Sequence, residues 1–159
     1  MQIEPIRHSV TVPIAAAEAF LLFTGNMQKW WPCEAVGIKP HVAIVLEPYP
    51  DGRWYEVDED GLETNWGRVL EWQSPHRLLL GWQLDANFAY HPQLITEVEI
   101  CFTALDDGAT QIVLEHRRLE RFAERAVEVR GALDGGWPGV LSGFAEMVAA
   151  DQNSEAEHG

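Results

Sequence analysis

"LITEVEICFTALDDGATQIVLEHRR", residues 94–118, alternates with a period of two on both sides of a turn. Leu94, Thr96, Val98, Ile100 and Phe102 stand on one side, opposed by Glu97 and Glu99. After Asp106-Asp107-Gly108-Ala109, the residues Ile112, Leu114 and His116 oppose Gln111 and Glu115. Successive strand side chains point to opposite faces, so this is a hairpin with one apolar face and one wet face.

The same reading extends upstream. Ile3 to Val12 reads as a first strand ending at Pro13, which opens a helix with Ala16, Ala19, Phe20 and Phe23 on its inner side. Thr24-Gly25-Asn26 ends that helix, and Met27 to Trp31 adds a short turn closed by Pro32. His41 to Glu47, Arg53 to Asp58, Leu62 to Gln73 and His76 to Leu84 are further strands, separated by Pro-, Gly- and Asp-rich turns. Asp85 to Pro92, "DANFAYHP", is a loop.

Past Arg118 the period changes. Leu119, Phe122, Ala123, Ala126 and Val127 have helical spacing, and the glycines between Gly131 and Gly136 are expected to interrupt it. From Trp137, with Pro138 suited to a first helical position, Val140, Leu141, Phe144 and Val148 form an amphipathic helix of about four turns. The expected fold is α+β: a curved antiparallel sheet wrapped around a long C-terminal helix, with short helices between the first and second strands. Residues 1–150 form a single domain, followed by an acidic, disordered tail at 151–159.

The chain has 159 residues, 47% of them hydrophobic, and a formal net charge of −14. That size supports a core without staples. The negative charge argues against nucleic-acid binding and against docking on anionic lipid. Cys33 and Cys101 have no partner spacing typical of zinc or redox motifs and are expected as reduced thiols. His76 and His91 are isolated and His116 has only Glu120 nearby in sequence, so no metal and no cofactor are expected. No stretch approaches a membrane span and no apolar signal core opens the chain, so a cytoplasmic location is expected.

Even-numbered side chains are expected to face inward along Leu62 to Gln73 as well, which places Trp66 and Arg68 beside Trp82 and His116. Trp54 and Glu56 join them if the short hairpin strand keeps that parity. A concave aromatic wall with few polar members describes a ligand pocket, and it equally describes a filled core. His116 could contact a ligand or serve as an acid–base group; it could also be a histidine bonded to its own core. Arg68 could bind a ligand carboxylate, pair with Glu56, or stack on Trp66 or Trp82. Trp30 and Trp31 form either an aromatic gate or a plug, and Phe88, Tyr90 and His91 lie in a loop that could act as a lid.

The motifs "VTVPIAAAEAFLLFT", "WWP", "EPYPDGRWYE", "DGLETNWGRVLEWQSPHRLLLGW", "TEVEICFTALDDGATQIVLEHRRLE" and "GGWPGVLSGFAEMV" occur in this order from about Ile3 to Ala150. In that order and spacing the chain resembles the START-like, or Bet v 1-like (SRPBCC), helix-grip superfamily, and within it the activator of Hsp90 ATPase homologue family. Asp51-Gly52 stands where that family commonly has two glycines. The resemblance implies a cavity between sheet and helix and no shared catalytic motif. Members of the superfamily bind lipids, hormones, polyketides or other hydrophobic molecules, and some are cyclases or hydrolases.

Three functional expectations follow. The first is binding of a small hydrophobic or aromatic ligand by Trp30, Trp31, Trp54, Glu56, Trp66, Arg68, Trp82, His116, Trp137 and Leu141. The second, from the family name, is a stress-response or co-chaperone-like interaction module with a chaperone as partner. The third is an enzyme using His116 with Glu56 or Arg68. A homodimer is compatible with each of them.

Overall fold

The computed structural model describes residues 3–25, 27–31 and 41–158, with side chains as far as residue 152. Pro32 and Cys33, expected to close a turn and to be a reduced thiol, lie outside the described residues.

Strand β1 (Ile6–Val12) leads into helix α1 (Ala16–Gly25) and a 3-10 turn at Met27–Lys29. Six strands follow: β2 (His41–Leu46), β3 (Arg53–Asp58), β4 (Glu63–Gln73), β5 (Arg77–Trp82), β6 (Thr96–Ala104) and β7 (Thr110–Arg117). A 3-10 segment at Leu119–Arg125 then joins helix α2 (Ala126–His158). The strands form one antiparallel sheet in the order β1-β7-β6-β5-β4-β3-β2. Consecutive strands pair as hairpins from β2 to β7, and β1 closes on β7 with Ile6 opposite His116. This is the α+β helix-grip architecture expected from the sequence.

The alternation predicted on β6 and β7 is present: Thr96, Val98, Ile100, Phe102, Ile112, Leu114 and His116 are all buried. The helix α1 buries Ala19, Phe20, Phe23 and Thr24 against the sheet, with Phe20 edge-on to Trp72 and Phe102 at 5.0 and 5.1 Å. The opposite face carries an ion-pair ladder. Arg77 bonds both Glu71 and Glu99, and Arg117 bonds Glu97 and Glu99. Burial raises the pKa of Glu99, but its two arginine partners outweigh that and hold it below the usual carboxylate range.

The parity expected on β4 is not kept. Leu62 is exposed, Arg68 is exposed, and Val69 is fully buried. Two bulges cause this. Trp54 pairs with Gly67 while Tyr55 pairs with Asn65, so Trp66 is an extra residue. Val69 pairs with Leu80 while Glu71 pairs with Leu79, so Leu70 is a second one. The inward set is therefore Thr64 and Trp66, then Gly67 and Val69, then Trp72: one bulge flips the phase and the next restores it. Gly67 is required there, because a Cβ on it would sit 1.8 Å from the Gly81 carbonyl oxygen.

The second correction concerns α2. Gly131 to Gly136 does not interrupt the helix, and Pro138 lies inside it rather than at its start. Each interior glycine costs about 1 kcal/mol and proline about 3 in helix propensity. Burial of Val129, Leu133, Trp137, Val140, Leu141, Phe144 and Val148 along one side opposes that cost, at roughly 1.5 to 3 kcal/mol per large apolar side chain. The helix continues past Asp151, into the segment expected as a tail, as far as His158. Of the residues with helical spacing before the glycines, Leu119, Phe122 and Ala126 are buried while Ala123 and Val127 are exposed. The helix is tied to β1 by His8 Nε2 to Asp134 Oδ1 at 2.8 Å, and to the segment preceding β1 by Arg130 donating to the Glu4 carbonyl at 2.8 Å.

Candidate functional site

Where α2 crosses the sheet, the indoles meet. Trp31 enters from the end of the 3-10 turn, whose backbone it caps through its N–H to the Met27 carbonyl at 2.8 Å. Trp54 comes from β3, Trp66 from the first bulge of β4, Trp82 from the end of β5 and Trp137 from α2. Trp31 touches three of the others, Trp54, Trp66 and Trp137, with ring centroids 5.2 to 6.1 Å apart. Trp54 also meets Trp66 and Trp82, and Trp82 meets Trp137, at 5.5 to 5.8 Å. Most of these pairs are edge-to-face, the arrangement favoured by ring quadrupoles.

The polar members of this cluster serve the indoles. Glu56 is 1% exposed, and its Oε1 accepts the Trp66 indole N–H at 2.8 Å. His116 is fully buried. Trp137 donates its indole N–H to His116 Nδ1 at 3.1 Å, and His116 Nε2 lies 2.7 Å from Thr96 Oγ1. An indole nitrogen only donates, so Nδ1 is the acceptor and Nε2 carries the proton toward Thr96. Burial pushes the His116 pKa down to about 3. The imidazole is neutral with both nitrogens engaged, an arrangement that positions Trp137 and leaves no free nitrogen to take a substrate proton.

Beside this cluster lies a pocket of about 100 Å³. Its floor is Trp31, Trp82 and Trp137. One wall is α2, through Ala132, Leu133, Gly136 and Val140. Phe88, from the loop after β5, lies over it with its ring 6.5 Å from Trp82. That loop is pinned: Asp85 Oδ1 accepts the Asn87 and Ala89 N–H groups, and Arg125 donates to Asn87 Oδ1 at 2.9 Å. Phe88 itself has φ 59°, a left-handed conformation that costs a non-glycine residue about 1 to 2 kcal/mol.

The structure thus brings Trp31, Trp82 and Trp137 to the pocket and places Trp54, Trp66, Glu56 and His116 directly behind them. Trp30 packs on Phe23 and Phe144, and Leu141 is a core residue of α2; neither lines the pocket. Arg68 is outside altogether, paired across the sheet with Gly81 and Arg53 on the outer face. Its expected partnership with Glu56 or the tryptophans does not occur because of the bulge at Trp66. Tyr90 and His91, the other aromatic residues of the loop, are exposed. The α2 wall was hidden in the sequence, because the glycine-rich segment that forms it does not look helical. Among the described residues no three His, Cys, Asp or Glu side chains form a metal-binding group. No helix among them is long and apolar enough to cross a membrane.

Solved structures resembling the chain include the anthrahydroquino-γ-pyrone synthase Txn09, determined in complex with SUM. It is 36% identical, covers 91% of this chain and 96% of its own, and superposes with a TM-score of 0.64. CalC, a self-sacrificing resistance protein of Micromonospora echinospora, is 27% identical over 92% of this chain and 95% of its own, with a TM-score of 0.63. Protein NE0264 of Nitrosomonas europaea shares the fold at 16% identity, covering 95% and 99% of the two chains, with a TM-score of 0.66. No curated protein matches the chain. The family described as activator of Hsp90 ATPase homolog 1-like protein matches residues 15–149, and the chain belongs to that family.

Proposed function

We propose that this protein binds a small planar aromatic molecule in the pocket between the tryptophan cluster and α2. The observation that supports this best is the pocket itself: three indoles, a phenylalanine and a helix wall with a glycine at its centre. Gly136 lines the pocket from an exposed position on α2, where a Cβ would meet nothing within 4 Å, so a larger side chain can be placed there without a clash. Similarity to a synthase of a fused-ring pyrone, at 36% identity, supports an aromatic polyketide-like ligand class.

The pocket's roughly 100 Å³ is below the ~300 Å³ at which drug-sized sites begin. Ligand entry therefore requires Phe88 to swing away. That residue is half-exposed and strained, so its displacement costs little burial and releases the left-handed backbone. The test is a titration of tryptophan fluorescence with bicyclic and tricyclic aromatics, on the wild type and on Gly136→Leu. Leucine at 136 improves helix propensity by about 0.7 kcal/mol and adds bulk at a residue that lines the pocket. We expect saturable quenching in the wild type and none in a variant that melts no lower. Absence of saturable quenching in the wild type, or unchanged affinity in Gly136→Leu, would refute the assignment.

A further inference from the structure

The loop after β5 has a fixed stem and a self-contained tip. In the stem, Gln83 is buried, its Nε2 donates to the Pro92 carbonyl at 2.9 Å, and its carbonyl accepts the His91 N–H at 2.7 Å. Leu84 is buried as well and bridges to Tyr90. In the tip, Asp85 accepts the Asn87 and Ala89 N–H groups on its side chain. Its own N–H donates to the Ala89 carbonyl at 2.8 Å, and its carbonyl accepts the Phe88 N–H at 2.9 Å. These bonds make residues 85–89 one piece that carries Phe88 over the pocket.

Among the described residues, a single hydrogen bond reaches this tip from outside the loop: Arg125 Nη1 to Asn87 Oδ1 at 2.9 Å. The guanidinium is oriented from its other side, where Nε and Nη2 donate to the Glu128 carboxylate at 3.0 and 3.1 Å. Its backbone is anchored independently of the tip. Arg121, on the same 3-10 segment, donates to the Ile95 carbonyl at 2.8 Å. Between the two arginines Ala123 has φ 56° and ψ −127°, the kink at which that segment turns into α2. A non-glycine residue keeps such a conformation only where its surroundings impose it.

We propose that Arg125 is the latch of the pocket: its bond to Asn87 holds the tip down with Phe88 over the opening, and breaking that bond is the step that admits and releases the ligand. This rests on the pocket assignment above and names what regulates access to it. The tip swings about the Leu84–Tyr90 bridge, while the stem stays bonded to Gln83. Asn87 is exposed, so water replaces the broken bond and opening stays frequent. Loss of this one bond raises the open population by about fivefold.

Two variants test this. Asn87→Ala removes the acceptor and leaves the backbone bond to Asp85 and the Arg125–Glu128 pair in place. Arg125→Met removes the donors and keeps the aliphatic stem. In relaxation-dispersion spectra of the ligand-free protein, the open population read at the Phe88 amide should rise about fivefold in either variant. It should rise no further in the double variant, because both changes remove the same bond. With 2-naphthol as the probe, stopped-flow quenching of tryptophan fluorescence should show association and dissociation both about fivefold faster. Kd should stay the same, because the tip closes equally over the empty and the filled pocket. Exchange at Phe88 that neither variant changes, additive effects in the double variant, or an altered Kd with unchanged rates overturns the latch and leaves the pocket assignment standing. A wild type that binds neither 2-naphthol nor the wider aromatic panel overturns the pocket and its latch together.

Discussion

His116 makes the stability of this protein depend on pH in a defined window. The side chain is fully buried, and its pKa falls from 6.5 to about 3 on folding because desolvation penalises the charged ring. The folded chain therefore refuses a proton that the unfolded chain accepts. The stability tied to this residue is complete above the unfolded value. It declines as pH falls below 6.5 and is exhausted near the folded value of about 3. Within that window the slope approaches ~1.4 kcal/mol per pH unit, so moving from about pH 7 to about pH 5 costs ~2 kcal/mol. Glu99 adds acid sensitivity of its own, but its lowered pKa confines it to the carboxylate range, below this interval. Urea unfolding at the two pH values, in wild type and His116→Gln, measures the term. The variant has a lower absolute stability, so the quantity compared is the change between pH values. The wild type should lose about 2 kcal/mol more than the variant. Equal losses, or an imidazole signal titrating near 6.5 in the folded protein, would refute the claim that His116 is buried neutral and fully bonded.

Other outcomes follow from the bulges and the loop. Gly67→Ala should destabilise by ~3 kcal/mol in chemical denaturation, because the new methyl group collides with the Gly81 carbonyl in a close-packed strand pair. Arg68→Ala should change stability by less than ~0.5 kcal/mol and leave aromatic-ligand affinity untouched, as expected of an exposed outer-face residue. Phe88→Gly removes the cover and the left-handed strain together. Its signature is faster ligand dissociation by stopped-flow, with a melting temperature equal to or above that of wild type.

The sequence determined the sheet, the inward faces of β6 and β7, and the part of the roofing helix that begins at Trp137. Period-two alternation with a wet opposite face leaves a strand little freedom of register, because a slip of one residue would bury Glu97 and Glu99 and expose Ile100 and Phe102. It did not determine β4. A bulge is a contest between a strand's local alternation and its registers with two neighbours, and Gly67 allows the close approach to β5 that settles it. Arg68 was misplaced for that reason alone. Nor could propensity reveal the first part of α2, before Trp137: Gly131, Gly135 and Gly136, with Pro138 just beyond, argue against a helix locally, and only the apolar side running from Val129 to Val148 against the sheet overrides them. The Gly136 wall of the pocket was lost with it. Least legible of all was which indoles would be committed. Seven tryptophans read alike in a sequence. It takes the tertiary structure to place Glu56 beside Trp66 and His116 beside Trp137, and to leave the Trp31 and Trp54 N–H groups without a partner among the described residues, because hydrogen bonding is decided by distance and direction between groups far apart in the chain.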